Sequence, residues 1–83
     1  MYSVKITRNA QKELGRLPTS DYERVLTAIQ ALAAAPRPRG CKKLEDSDFW
    51  RIRIGQYRVI YEIRDKELIV VVIKLGNRRD VYR

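Results

Sequence analysis

The apolar residues in the second half of the chain recur at every second position, and this alternation constrains the fold more than any other feature. Three runs show it, at residues 49–54, 57–63 and 68–75, and the short sequences Gly55-Gln56 and Asp65-Lys66 separate them. A period of two is typical of a β-strand, and two-residue turns join antiparallel neighbours. We therefore predict a three-stranded antiparallel meander. Residues 68–73 are apolar without interruption, which predicts a last strand buried on both faces.

The first half of the chain predicts a strand followed by two helices. Residues 2–7 alternate between apolar and polar side chains as a strand does. Two apolar stripes at helical spacing follow, one on each side of Pro18. The first stripe consists of Ala10, Leu14 and Leu17, and the second of Tyr22, Val25, Leu26, Ile29, Leu32 and Ala33. Ser20 and Glu23 fit the S-x-x-E capping box, so we expect Ser20 to cap the second helix, which ends before Pro36.

This order of elements predicts a single α+β domain over residues 1–83. An N-terminal strand, a two-helix hairpin and an antiparallel β-meander would form a sandwich, with both helices packed on one face of the sheet. Trp50 and Tyr61 fall on the helix-facing side, where we expect core aromatics. The sequence Pro-Arg-Pro-Arg-Gly at residues 36–40 predicts a stiff basic connector between the helices and the meander.

The residues that the chain lacks exclude several kinds of active site. It has no histidine and a single cysteine, Cys41, which excludes a Ser-His-Asp or Cys-His nucleophilic site, a Cys/His zinc cluster and an internal disulfide. We expect no metal and no other cofactor. No apolar run approaches the roughly 20 residues of a membrane span, and the N-terminus lacks the apolar core of a signal peptide. We therefore expect a cytoplasmic protein without a membrane partner.

The charge of the chain favours an anionic partner. Eighteen Lys and Arg residues against ten Asp and Glu residues give a net charge of +8 on 83 residues. A basic surface of this kind binds nucleic acid because each neutralised phosphate releases condensed counterions. An acidic protein is the other partner that this charge suits, and the alternative is a basic surface kept only for solubility.

Counting the register of the first hairpin gathers arginines on one face of the sheet. If Gly55-Gln56 is a two-residue loop, Arg53 lies directly opposite Arg58, and Arg51 shares their face. Like charges directly opposite each other destabilise a hairpin unless an anion lies between them. No acidic residue occurs between positions 49 and 61 to neutralise these arginines locally. The pattern favours a phosphate-binding site, and the alternative is a solvated basic face.

The C-terminal tail extends this predicted site. With Asp65-Lys66 as a second two-residue turn, Ile73 falls opposite Arg58, which brings the tail to the same end of the sheet. The predicted patch then consists of Arg51, Arg53, Arg58, one or both of Arg78 and Arg79, and Tyr82. Arginine binds phosphate oxygens in a bidentate manner, and a tyrosine ring stacks on a base. The alternative for Tyr82 is packing on the core.

Two segments of the chain strongly resemble the RelE/ParE superfamily of toxins from type II toxin–antitoxin operons. They are Phe-Trp-Arg-Ile-Arg-Ile-Gly-Gln-Tyr-Arg-Val-Ile-Tyr, within residues 44–61, and the ending Gly-Asn-Arg-Arg-Asp-Val-Tyr-Arg. The resemblance covers essentially the whole chain and implies a RelE-like microbial ribonuclease-type fold. It also implies a metal-independent endoribonuclease, an mRNA interferase that cuts messenger RNA in the ribosomal A site. The implied partners are the ribosome, messenger RNA and a RelB-like antitoxin that forms a hetero-oligomer with the toxin.

The resemblance also implies roles for individual residues. Arg51 and Arg53 lie where the family places basic residues on the first meander strand, Arg58 matches the G-x-Y-R core, Arg78 follows the third strand and Tyr82 matches the near-terminal tyrosine. Several ribosome-dependent members carry lysine at the positions of Arg51 and Arg53. Arginine stays protonated, so neither residue can act as a general base. We expect four further residues to bind RNA: Lys42, Lys43, Lys74 and Arg79.

The expected reaction is attack of an RNA 2′-hydroxyl on the adjacent phosphorus, which leaves a 2′,3′-cyclic phosphate. Arg58 and Arg78 would hold the phosphate oxygens, and Tyr82 would act as a base or stack on a nucleotide. Lys42 and Lys43 rank second as proton carriers, and Glu45 is either a base or a solvated loop charge. This short list predicts that cleavage depends on the ribosome to orient the substrate.

Two alternative functions are compatible with the resemblance. One is inhibition of DNA gyrase, as in ParE-type members, which generally lack the full arginine and tyrosine set. The other is a toxin homologue without activity that acts as a co-repressor with its antitoxin. In every case we expect the antitoxin to present an acidic amphipathic segment that folds on binding.

Overall fold

The computed structural model describes residues 1–77 and contains one five-stranded sheet with two helices on one of its faces. The elements are β1 (Ser3–Ile6), α1 (Arg8–Gly15), α2 (Thr19–Ala31), β2 (Lys42–Lys43), β3 (Phe49–Ile54), β4 (Tyr57–Arg64) and β5 (Ile69–Asn77). The spatial order of the strands is β1-β5-β4-β3-β2; β1 is parallel to β5 and the other pairs are antiparallel. The predicted α+β fold is confirmed. Neither helix of the described chain is long and apolar enough to cross a membrane.

The core lies between the helices and the face of the sheet that they cover. The buried residues are Ala10, Leu14, Val25, Ile29, Leu32, Ile52, Tyr57, Val59, Tyr61, Val70, Val72 and Leu75. The helical stripes and the strand alternation therefore point inward as predicted, with one exception. Tyr22 is 37% exposed. The first turn of α2 lies level with the tip of the β3–β4 hairpin, where Asp21 accepts a hydrogen bond from Tyr57. Tyr22 therefore lies at the end of the strands rather than over the sheet.

The β3–β4 hairpin has the predicted register. Ile54 pairs with Tyr57, and Arg53 with Arg58, so Gly55-Gln56 is a two-residue loop. Gly55 has a φ of +59°, a left-handed conformation that costs glycine little and other residues more. The turn therefore fixes which side chains of both strands face the helices.

The second turn is longer than predicted. Arg64 pairs with Ile69, so the loop contains four residues, 65–68, in place of the predicted two. Leu68 has a φ of +56°, and its N–H donates to the Asp65 carbonyl at 3.3 Å. An apolar residue in the left-handed region gives no turn signal in a sequence, because its side chain reads as part of the strand.

A β-bulge shifts the register of β4 and β5 further. Ile60 pairs with Lys74 but Tyr61 pairs with Val72, so Ile73 is an extra residue on β5. Arg58 therefore lies opposite Gly76, and the predicted pairing of Arg58 with Ile73 is wrong. The two errors add up to a displacement of three residues. Past the bulge Leu75, not Lys74, faces the core, and the uninterrupted apolar run before Lys74 gave no sign of where the extra residue lies.

Strand β5 is buried on one face only, contrary to the prediction from its apolar run. Val70, Val72 and Leu75 pack on the core, whereas Val71 and Ile73 are half-buried. Both helices lie on the same side of the sheet, so within residues 1–77 no helix covers the other face. The predicted capping box is also wrong. The cap residue is Pro18, whose carbonyl accepts from the Tyr22 N–H, and Ser20 lies inside the first turn.

Helix α1 is fixed to the sheet by polar contacts at the bulge. The Thr7 hydroxyl accepts the N–H of Ala10 as the cap of α1 and donates to the Ile73 carbonyl at 3.1 Å. The Glu13 carboxylate accepts the Leu75 N–H at 3.1 Å. These contacts satisfy backbone groups of β5 beyond the end of β1, where a neighbouring strand is missing on that side.

We predict that Gly55→Ala destabilises the protein, and that backbone strain in the turn rather than the loss of contacts is the main cause. Alanine at a φ of +59° is strained, and its Cβ would lie 2.7 Å from an Arg24 guanidinium nitrogen, which is mobile enough to move. The free energy of unfolding should fall by about 1–2 kcal/mol. Urea unfolding followed by the fluorescence of Trp50, the single tryptophan, measures this change.

Gly15→Ala is the matched control, because a Cβ at Gly15 in α1 meets no atom within 4 Å. Alanine favours a helix, so this variant should be as stable as the wild type or up to about 1 kcal/mol more stable. Equal losses in both variants would contradict the role assigned to the turn.

Candidate functional site

Five basic side chains line one cleft at the end of the sheet. The cleft has a volume of about 260 Å³ and is lined by Lys42, Lys43, Leu44, Glu45, Arg51, Arg53 and Arg58. Within the described chain, its lining thus carries five cationic groups and one carboxylate. Such a site attracts a phosphate group by charge and by hydrogen bonds from the guanidinium groups.

The strand pairing explains how these side chains come together. Arg53 lies directly opposite Arg58 across the β3–β4 pair. On the other edge of β3, Lys42 pairs with Arg51 and Lys43 with Trp50. Strand β2 has only two residues, too few for a periodic signal, and the sequence therefore did not predict it. Its pairing is what brings the two lysines beside the arginines.

Two of the arginines are buried. Arg51 and Arg58 are each 9% exposed, whereas Arg53 is exposed. Burying a cation costs free energy unless it is paired and hydrogen-bonded, and the like charge opposite Arg58 adds to the cost. One guanidinium nitrogen of Arg51, Nη1, donates to the Gly40 carbonyl at 3.2 Å. A bound anion would lower the electrostatic cost of this cluster.

The groups in the cleft that are able to exchange a proton are Lys42, Lys43 and Glu45. Glu45 is exposed at the rim. Tyr61 belongs to the opposite face of the sheet and is fully buried. Burial raises the pKa of Tyr61, and the neighbouring Cys41 thiol raises it further. Tyr61 therefore does not serve as a base.

The remaining predicted site residues lie elsewhere or outside the described chain. Lys74 is exposed and pairs with Ile60 on the neighbouring strand, and it does not line the cleft. Arg78, Arg79 and Tyr82 lie outside the described residues. The structure thus brings together Arg51, Arg53, Arg58, Lys42 and Lys43, and it leaves the predicted contribution of the tail as an expectation.

A second groove shares two arginines with the cleft. It runs between α2 and β3, has a volume of about 480 Å³ and is lined by Ala28, Ala31, Leu32, Pro38, Arg39, Gly40, Arg51, Ile52, Arg53 and Ile54. Its walls are largely apolar and carry three arginines and no carboxylate. Arg51 and Arg53 line both depressions. Arg39, which we predicted only as part of the basic connector, joins them in lining the groove.

Trp50 is half-buried and stacks with a side chain of the protein itself. The Arg37 guanidinium lies 5.2 Å from the centre of its ring. Arg37 also binds both carboxylate oxygens of Asp65, at 2.9 and 3.3 Å, and the Tyr2 hydroxyl donates to the same carboxylate at 2.6 Å. These contacts join the connector at residues 36–40 to the β4–β5 turn.

The chain is similar to known proteins over nearly its whole length. A family model described as the ParE toxin of type II toxin-antitoxin system, parDE, matches residues 4–82. The toxin RelG of Mycobacterium tuberculosis is 30% identical over 88 residues, which cover 99% of this chain and 97% of RelG.

Solved structures extend the likeness. A chain in the archaeal RelE–RelB complex from Pyrococcus horikoshii OT3 is 36% identical, with a TM-score of 0.85 over 96% of this chain and 98% of that one. The isolated Escherichia coli RelE toxin is 26% identical, with a TM-score of 0.81 over 99% of this chain and 92% of that one. The chain is similar to these proteins over nearly its full length.

We predict a pH-dependent contribution of Asp65 to stability. The hydrogen bond from Arg37, with that from Tyr2, lowers the pKa of Asp65 below its ordinary value of 3.8. A pKa that is lower in the folded state gives stability that is present above about pH 4 and is lost as the pH falls through the folded-state pKa. Asp65→Asn should therefore melt at a lower temperature than the wild type near pH 6, and the difference should shrink below pH 4.

Glu23→Gln is the control for this experiment, because it removes one negative charge from an exposed position on α2. Thermal melts of the wild type, Asp65→Asn and Glu23→Gln at pH values between about 2.5 and 6 show how the melting temperature of each protein depends on pH. A wild-type and Asp65→Asn difference that stays constant over this range would contradict the assigned ion pair.

Proposed function

Because the chain belongs to the RelE/ParE superfamily of toxins from type II toxin–antitoxin systems, we propose that it cleaves messenger RNA in the ribosomal A site, as a metal-independent endoribonuclease. The observation that supports this proposal is the cleft with five basic side chains. Its cationic lining suits a phosphodiester, on whose non-bridging oxygens negative charge accumulates as the reaction proceeds.

The cleft supplies what an intramolecular attack on phosphorus requires. The 2′-oxygen loses its proton and bonds to phosphorus, the bond from phosphorus to the 5′-oxygen breaks, and the departing oxygen takes a proton. Negative charge accumulates on the non-bridging oxygens in between. Arg51 and Arg58 are buried, which restricts their side chains, and in this proposal they stabilise that charge by about 3 kcal/mol each if comparable to an oxyanion-hole donor. Arg53, at the exposed mouth, would orient the backbone.

The small number of proton carriers in the cleft supports the proposal that cleavage depends on the ribosome. Arginine keeps its proton, so the candidates are Lys42, Lys43 and Glu45 in the cleft, and Tyr82. A site without histidine gains most from a substrate already held for in-line attack, and alignment alone is worth several kcal/mol. We therefore propose that ribosomal contacts supply the alignment and that bare RNA is cut slowly.

We propose a RelB-like antitoxin as the partner of this chain in a hetero-oligomer. The Pyrococcus relative was crystallised as a RelE–RelB complex. The groove between α2 and β3 suits an acidic amphipathic segment, because its apolar floor carries Arg39, Arg51 and Arg53. Carboxylates bound there would occupy two arginines that also line the cleft, so antitoxin and RNA would compete for them.

Inhibition of DNA gyrase is the second candidate function. The observation in its favour is that the matching family model carries the ParE toxin description. The basic cleft argues for RNA cleavage, and the experiment below separates the two.

We predict that brief induction of the wild type in bacteria produces cuts in codon register on a translated transcript. An untranslated copy of the same transcript should stay intact, and both are compared by mapping 5′ ends. Arg58→Ala should lower cleavage by about 100-fold, the loss expected for a buried donor to the reacting phosphate. Arg16→Ala makes the same change of charge at an exposed position beside α1, on the helix side of the sheet, and should cleave normally.

Growth arrest by the wild type without any cuts would favour gyrase as the target. If the wild type causes no arrest, the chain is a silent homologue that binds its antitoxin. Cuts on both copies of the transcript would contradict the dependence on translation.

We also predict that Ala31→Glu weakens binding of the antitoxin by about tenfold or more, because it places a carboxylate in a groove assigned to an acidic segment. Ala34→Glu is the matched control. It is equally exposed, lies just after α2 and does not line the groove. Titration calorimetry with the purified antitoxin measures both affinities, and equal affinities would remove the groove from the interface.

A further inference from the structure

The connector at residues 36–40 is anchored at its start by the core of the sheet. The Tyr61 hydroxyl donates to the Pro36 carbonyl at 2.7 Å. Tyr61 is fully buried in the middle of β4, and its bond to Pro36 is partly buried. The Arg37–Asp65 pair adds a contact to the β4–β5 turn, but its side chains are 44% and 53% exposed, and pairs this exposed contribute little.

The other end of the connector presents a carbonyl to the cleft. Residues 38–41 form a turn closed by the Cys41 N–H, which donates to the Pro38 carbonyl at 3.0 Å. Gly40 occupies the third position of this turn with a φ of +90°, as a type II turn requires. Its carbonyl accepts the hydrogen bond from Arg51 Nη1 at 3.2 Å.

The two ends together restrict the Arg51 guanidinium. A guanidinium is a rigid planar fork, so one fixed N–H direction restricts the directions of its remaining donors. Pro36 and Pro38 limit the backbone of the connector between its anchors. A buried hydroxyl on β4 therefore holds one end of the five-residue connector. The other end of the connector holds a side chain on β3 that lines the cleft.

We propose that the connector orients Arg51 for phosphate binding and that Tyr61 is the positioning residue behind it. The task given to Arg51 rests on the proposed function, whereas its orientation by Tyr61 does not. Tyr61 touches no substrate in this scheme. It acts through the Pro36 carbonyl at one end of the connector, and its hydroxyl also lies beside the Cys41 thiol at the end of the turn at residues 38–41.

The first test observes Arg51 directly and needs no activity. NMR signals of the arginine Nε–H group, assigned with an Arg51→Lys variant, report the mobility and solvent exchange of the side chain in the purified full-length toxin. In the wild type we expect a slowly exchanging Arg51 signal. In Tyr61→Phe, which removes a single oxygen atom, we expect at least tenfold faster exchange and a lower order parameter.

Tyr57→Phe is the matched control. Tyr57 is also buried on β4, and its hydroxyl donates to Asp21 on α2 and accepts from Gln56 in the hairpin turn, neither of which belongs to the connector. Its Arg51 signal should stay as in the wild type, although both variants lose similar stability. Equal exchange of Arg51 in the two variants would overturn the proposal. Gly40→Ala changes the other end of the connector and should make Arg51 as mobile as Tyr61→Phe does. This second variant keeps the test decisive if Tyr61→Phe folds poorly.

The second test measures coupling in the cleavage assay. Tyr61→Phe should lower cleavage of a translated transcript by about tenfold, yet by less than about twofold in an Arg51→Ala background, because the residues act through one group. Equal losses in both backgrounds would overturn the positioning role. If the wild type does not cleave at all, the proposed function fails while the NMR result still decides how Arg51 is oriented.

Discussion

The two-residue turn at Gly55-Gln56 is the constraint on which the rest of the structure depends. It sets the β3–β4 register, and this register decides in one step which side chains form the core and which form the cleft. Because alternate residues face opposite sides, a slip by one residue would bury Arg51, Arg53 and Arg58 under the helices and expose Val59 and Tyr61. The free energy that holds the core together therefore also holds the arginines together, even though their mutual repulsion opposes it.

This coupling explains why the arginines of β3 and β4 could be predicted from the sequence to lie together, whereas the position of the β2 lysines beside them could not. The period of the strands and a glycine in a tight turn are local signals, so the pairing of Arg53 with Arg58 followed directly. The contribution of β2 depends on tertiary contact alone, since two lysines carry no periodicity. The left-handed conformation of Leu68 and the extra residue Ile73 were not predicted, for a related reason. Both are apolar residues inside an uninterrupted apolar run, so neither marks the point at which the alignment along the strand changes.

The buried arginines show how the chain accommodates a site that costs stability. Only one face of the sheet is covered by helices within residues 1–77, so the other is free to carry charge. The helices pack on the covered face, and polar contacts such as that of Glu13 with the Leu75 N–H complete the backbone bonding there. Stability is thus concentrated on one side of the sheet and the cationic cluster on the other. A protein arranged in this way gains stability from an anionic ligand by mass action, whether that ligand is RNA or an acidic segment.

Arg51 and Arg53 line both the cleft and the groove, and these shared residues link binding in the groove to binding in the cleft. Strand β3 is covered by β2 only at Trp50 and Arg51, and beyond that point its edge is open to the groove beside α2. Arg53 is exposed at this open edge and lines both depressions, and its side chain cannot bind two anions in the same orientation. On the function proposed above, inhibition then needs no conformational change in the toxin. Occupation of the groove would engage Arg53 and so remove one cation from the cleft, whereas Arg51 would stay bonded to the Gly40 carbonyl at the end of the connector.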